Sequence, residues 1–149
     1  MTYPGSRNHR FPTARLPLLA AAFAASALVL AAPLPAQDIG ASSLPEELFH
    51  GQAPVTEADV PAALELLRAN PENSTAETFY GVGQRHGLDP RRTDYVAVKF
   101  LTGVLALTAG MTRDQVAMQF GTPLAYPTDG ELEVVRGNLP AIKSALGLE

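Results

Sequence analysis

Asp89-Pro90-Arg91-Arg92-Thr93-Asp94-Tyr95-Val96-Ala97-Val98-Lys99-Phe100-Leu101-Thr102-Gly103-Val104-Leu105-Ala106-Leu107-Thr108-Ala109-Gly110 is the stretch on which the fold turns. An acid followed by proline is a helix start: the carboxylate caps, and the ring fits the first turn, where no backbone donor is needed. Gly110 is the matching stop. Between them Tyr95, Val96, Val98, Phe100, Leu101, Val104, Leu105 and Leu107 place apolar groups on most sides of the helix. A helix that is hydrophobic nearly all round is the buried centre of a bundle. Residues 100–112 carry no charge, but that run is too short to span a bilayer.

Toward the amino terminus, Ser74-Thr75-Ala76-Glu77 has the spacing of a capping box and predicts a second helix up to His86, closed by Gly87 in a left-handed turn. Before it, Val60, Ala63, Leu64 and Leu67 repeat at helical spacing; Thr56 or Asp59 can cap the start, and Pro61, which fits the first turn, favours Asp59. Asn70-Pro71 ends that first helix. Toward the carboxyl terminus, Met111 to Val116 combines a box (Thr112 with Gln115) and a hydrophobic staple, and the short fourth helix stops before Gly121-Thr122-Pro123. Thr128 with Glu131 repeats the box. Leu132, Val135, Leu139, Ile142 and Leu146 form the stripe of a fifth helix, in which Pro140 predicts a kink or break near Gly137-Asn138. The expected fold is therefore all-α: a small bundle of about five helices, residues 56–149, with the third helix most buried. Residues 37–55 read as an extended arm or linker with little periodicity. Its Leu48 and Phe49 either pack back or meet a partner.

The first residues are of another kind. Arg7, Arg10 and Arg15 precede an uncharged apolar run that ends in Pro33-Leu34-Pro35-Ala36-Gln37-Asp38. Basic start, apolar core and a small residue before a polar one make a secretory signal peptide over residues 1–36, cut between Ala36 and Gln37. The helix-breaking prolines argue against a retained anchor, so no stable membrane insertion is expected after cleavage. The expected location is the periplasm or the outside of the cell. Cleavage removes three arginines from a chain of net charge −4, leaving −7. That balance disfavours nucleic acid, whose phosphates need clustered cations. With no cysteine, the core holds by burial alone.

No catalytic or ligand motif is complete in the sequence. His50 and His86 form no zinc pattern, and His86, in a last helical turn, is explained by the helix terminus. No serine lies in a nucleophile elbow. Gly81-Val82-Gly83-Gln84-Arg85-His86-Gly87 has the wrong spacing for a dinucleotide loop and no strand before it, so Gly81 and Gly83 predict close approach of another helix, the third. No metal and no cofactor is expected. One candidate site remains. Tyr80 and Gln84 share a face of the second helix, as Tyr95 and Lys99 do on the third. Antiparallel packing of the two would line a groove with all four. The structural alternative is tyrosines at the core edge with hydroxyls in water.

Residues 110–123, with Gly110-Met111-Thr112, Gln115-Val116 and Gly121-Thr122-Pro123, resemble the helical segment of small outer-membrane assembly lipoproteins of the SmpA/OmlA type. The chain has neither the lipid-bearing cysteine nor the tryptophan of that family, and a helical stripe stands where the family has strands. The resemblance stays with this segment and implies no function. The sequence thus leads to a non-enzymatic, exported module that binds another envelope or secreted protein. The alternatives are a small-ligand binder with a site between helices, where Thr102 and Gly103 leave room, and an enzyme without a recognisable motif.

Overall fold

The computed structural model describes residues 43–69 and 75–148. Residues 1–42, including the expected signal peptide and its Ala36–Gln37 cut, lie outside the described residues, as do Asn70 to Ser74. The described part is all-helical. Six α-helices follow one another: α1 (Val60–Arg68), α2 (Ala76–Arg85), α3 (Pro90–Thr108), α4 (Arg113–Phe120), α5 (Asp129–Gly137) and α6 (Leu139–Ala145). Single 3-10 turns at Glu46–Leu48, Glu57–Asp59 and Pro123–Ala125 fill the connections.

α3 is the axis of the fold. Every residue from Thr93 to Leu105 is buried, and α1, α2, α5 and α6 all pack on it. Asp89 caps its start, its carboxylate accepting from the Arg92 N–H at 2.7 Å. α2 meets α3 at a point dictated by a glycine. A Cβ on Gly83 would lie 2.8 Å from Thr93 Cγ2 and closer still to its Oγ1, whereas one on Gly81 would meet nothing within 4 Å. The close approach expected of both glycines thus belongs to Gly83 alone. Further along α3, Val135 of α5 fills the space left by Gly103.

The local punctuation follows the residues. The Thr112–Gln115 and Thr128–Glu131 boxes both form. Gly87 and Gly121 end α2 and α4 at φ +76° and +78°, the left-handed region that suits glycine. The expected fifth helix is broken at Asn138 into α5 and α6, with Pro140 in the first turn of α6. Its missing N–H leaves no bond undone there. At α2 the cap is Thr75, whose hydroxyl accepts from the Thr78 N–H at 3.2 Å. This is one residue later than the expected Ser74.

The described part of the arm, residues 43–55, packs back into the core, one of the two outcomes expected of it: Leu44, Leu48 and Val55 are buried. These three side chains stand at i, i+4 and i+11, but Pro45, Gly51 and Pro54 interrupt the segment and keep it from forming one helix, so that spacing does not reveal their common burial. They are gathered by a path across the first half of α3 that begins where the Leu44 N–H meets the Phe120 carbonyl at 2.9 Å.

Candidate functional site

The densest polar arrangement lies between α3, the start of α5 and the arm. Its centre is Glu131, whose side chain is fully buried. Four donors face its two oxygens. The Tyr95 hydroxyl donates to Oε1 at 2.7 Å and the Val55 N–H to the same oxygen at 3.2 Å. The Thr128 N–H donates to Oε2 at 2.8 Å, and Lys99 Nζ lies 3.2 Å from it. Lys99 also donates to the Tyr126 carbonyl at 3.0 Å. Burial of a carboxylate is costly unless its charge is matched and its lone pairs are filled; here both conditions are met.

The titration behaviour follows from this packing. Burial pushes the Glu131 carboxyl up, but the Thr128 N–H, the Tyr95 hydroxyl, the Lys99 charge and the Val55 N–H together hold it below its ordinary value. Burial pulls the Lys99 ammonium below its ordinary value, against the attraction of Glu131. Burial and the neighbouring Glu131 carboxylate push the Tyr95 phenol well above its usual range, so it stays a donor.

Aromatic faces complete the cluster. Lys99 Nζ lies 5.4 Å from the centre of the Tyr95 ring and 5.7 Å from that of Phe49. The two rings are tilted at 60° with centroids 6.0 Å apart. The Arg92 guanidinium sits 5.1 Å from the Tyr95 ring centre and pairs with Asp59 at 2.9 Å. Cations over desolvated ring faces are favoured, so Phe49 closes the cluster from the arm side. Arg91 and Arg92 also hold the arm by its main chain: Arg91 donates to the carbonyls of Glu47 and His50, and Arg92 to those of Ala53 and Pro54.

The four residues of the expected groove are not gathered in one place. α2 and α3 are neighbours, but the residue facing Tyr80 is Asp94, whose carboxylate oxygens accept from the Tyr80 hydroxyl at 3.1 and 3.2 Å. Tyr95 and Lys99 lie on another side of α3, toward α5 and the arm, because Gly83 and Thr93 set which face α2 covers. Gln84 is exposed. Leu48 is 4% exposed and Phe49 lies on Tyr95 and Lys99, so both are turned inward. At Thr102 and Gly103 the hydroxyl donates to the Val98 and Ala125 carbonyls, and Val135 fills the space by the glycine. His86 Nε2 lies 3.0 Å from Glu65 on α1.

The residue that sequence reasoning did not assign to a site is Glu131. Its box with Thr128 was readable, and the structure keeps it through Oε2. What the box did not reveal is that Oε1 reaches across to Tyr95 and Val55. Among the described residues, no group of three or more histidine, aspartate or glutamate side chains is arranged to hold a metal ion, and no helix is long and apolar enough to cross a membrane. Chemically, the cluster neutralises, orients and fastens. No protein-family model, curated protein or solved structure matches the chain.

Proposed function

We propose that this chain is an exported helical module that acts in the cell envelope or outside the cell by binding another protein, without chemistry of its own. The observation that carries the reading is how the Glu131 cluster is used. Tyr95, Lys99 and Glu131 are the acid, cation and base that a catalytic centre would need, and each is committed to a partner inside the molecule. Catalytic acids and bases work on a group they can reach; these reach one another and the arm. The leader of residues 1–36 supports export. The charge of −7 left after cleavage favours a protein partner over nucleic acid.

The test has two parts. The mass of the exported form should correspond to a chain that starts at Gln37; a product still starting at Met1 would remove the export reading. The mature chain, immobilised and exposed to envelope and secreted extracts of its own organism, should retain one protein reproducibly. Binding of that purified protein should then saturate in a titration. Saturable turnover of a substrate, lost on Glu131→Gln or Lys99→Met in variants that remain folded, would overturn the non-enzymatic reading.

A further inference from the structure

We propose that residues 43–55 are a strap that opens as a unit, ahead of the helical body, and bares the Tyr95–Lys99 face of α3 while α1 to α6 stay folded. The inference stands apart from the binding role above, because it concerns the order in which parts of the molecule separate.

The polar ties of the strap are arranged so that opening costs the body little: the Phe120 carbonyl loses the Leu44 N–H and turns to water, and the buried Glu131 and Lys99 keep most of their partners. Of the four donors on Glu131, only the Val55 N–H belongs to the strap; Tyr95, Thr128 and Lys99 all remain. Lys99 keeps the Tyr126 carbonyl. Arg91 holds strap carbonyls from an exposed guanidinium, where water replaces them readily, and the half-buried Arg92 keeps its ion pair with Asp59 when it releases those of Ala53 and Pro54. The ion pair buried beneath Phe49 gains hydration when the strap leaves, which offsets part of its desolvation cost. The strap has little order of its own. Its internal backbone bonds are those of one turn, Leu48 to Pro45 and Phe49 to Glu46.

The hinge is defined as well. Asp59 accepts from the Thr56 N–H at 2.9 Å and from Arg92 at 2.9 Å, so the chain is pinned to α3 just after the strap ends. Opposing all this are the buried Leu44, Leu48 and Val55, which keep the strap shut most of the time. A segment with few buried contacts and few backbone bonds is where sub-global opening begins.

Amide-resolved hydrogen exchange of the whole mature chain tests this. The bonded amides of Leu44, Leu48, Phe49 and Val55 should exchange through one shared opening that is far easier than the one exposing Phe100 to Val104 in α3. A body substitution separates local from global opening. Val135→Ala, which removes packing against Gly103 of α3 without touching a group bonded to the strap, should speed the α3 amides about tenfold or more. It should leave the four strap amides unchanged, because the body is folded both before and after the strap opens. Ile142→Val is the milder variant if Val135→Ala does not fold. Strap and α3 amides that share one opening, and accelerate together in either variant, would overturn the proposal.

Discussion

The Tyr95 hydroxyl and the Glu131 carboxylate lie 2.7 Å apart, joining the second turn of the central helix to the first turn of α5. The bond is buried and charge-assisted, the kind that contributes most to a fold. Tyr95→Phe keeps the ring and removes the donor. It should lower stability by about 1.5–3 kcal/mol, the range for hydrogen bonds to charged groups. Urea unfolding of the two proteins would measure it, and an unchanged midpoint would count against the geometry.

Lys99 and Glu131 should couple strongly. Lys99→Met leaves a buried carboxylate without its counter-charge and should cost about 3–5 kcal/mol. Adding Glu131→Leu removes that charge too, so the double variant should be more stable than the sum of the singles predicts, by about 1 kcal/mol or more. Additive losses would show that the pair does not interact as placed.

Stability should fall at both ends of the pH scale. Glu131 is held below its ordinary value of 4.5 by the donors around it. Below 4.5 the unfolded chain takes up this proton before the folded one does, so the contribution of Glu131 is complete above that pH and drains away as acid approaches the folded value. Tyr95 is shifted the other way, above its ordinary 10.0, by burial and by Glu131. Above pH 10 the unfolded chain loses the phenol proton first, so the large Tyr95 contribution declines; Lys99, held below its ordinary value by burial, acts in the opposite sense and makes this limb shallower. Urea midpoints across pH should show both limbs. Glu131→Gln should flatten the acid one; an unaltered acid limb in that variant would exclude Glu131 as its source.

Gly81 and Gly83 should behave as opposites although they are two residues apart in one helix. Gly83→Ala drives a methyl into Thr93 and should cost about 1–3 kcal/mol through overpacking. Gly81→Ala meets open space and should gain about 0.5–1 kcal/mol from helix propensity. Thermal melts of both variants decide it; equal losses would contradict the contact.

Gly121 carries a separate constraint at the strap's entry. It has φ +78°, and a Cβ there would lie 2.7 Å from Ser43 Cα. Gly121→Ala should destabilise by about 1–3 kcal/mol, whereas Gly110→Ala shares the left-handed φ but meets no neighbour and should cost less. Chemical denaturation of the two proteins ranks them, and the reverse order would remove the Ser43 contact.

Much of the helical frame was readable because its signals are local. Asp89-Pro90 starts α3, Gly87 and Gly121 stop α2 and α4, and Thr112–Gln115 and Thr128–Glu131 close their boxes within one turn. Pro140 marks the break between α5 and α6 because a proline's missing donor acts on its own helix. The candidate site was only half legible. Tyr95 and Lys99 stood out as a polar pair on an apolar helix, but nothing in the spacing reveals which neighbour that face meets. Tyr80 and Gln84 seemed to oppose them because i, i+4 pairing defines a face, not the direction in which the face points.

The sequence by itself determined where helices begin and end and that the third is the buried one, since capping, glycine stops and apolar periodicity act over a few residues. Tertiary structure alone decided that Glu131 holds Val55, Tyr95 and Lys99 together, and that the arm carrying Leu44, Leu48 and Phe49 belongs to the core. Those contacts span long stretches of chain. They join residues of the arm, α3 and α5 whose approach is set by packing between distant segments, which no local pattern encodes.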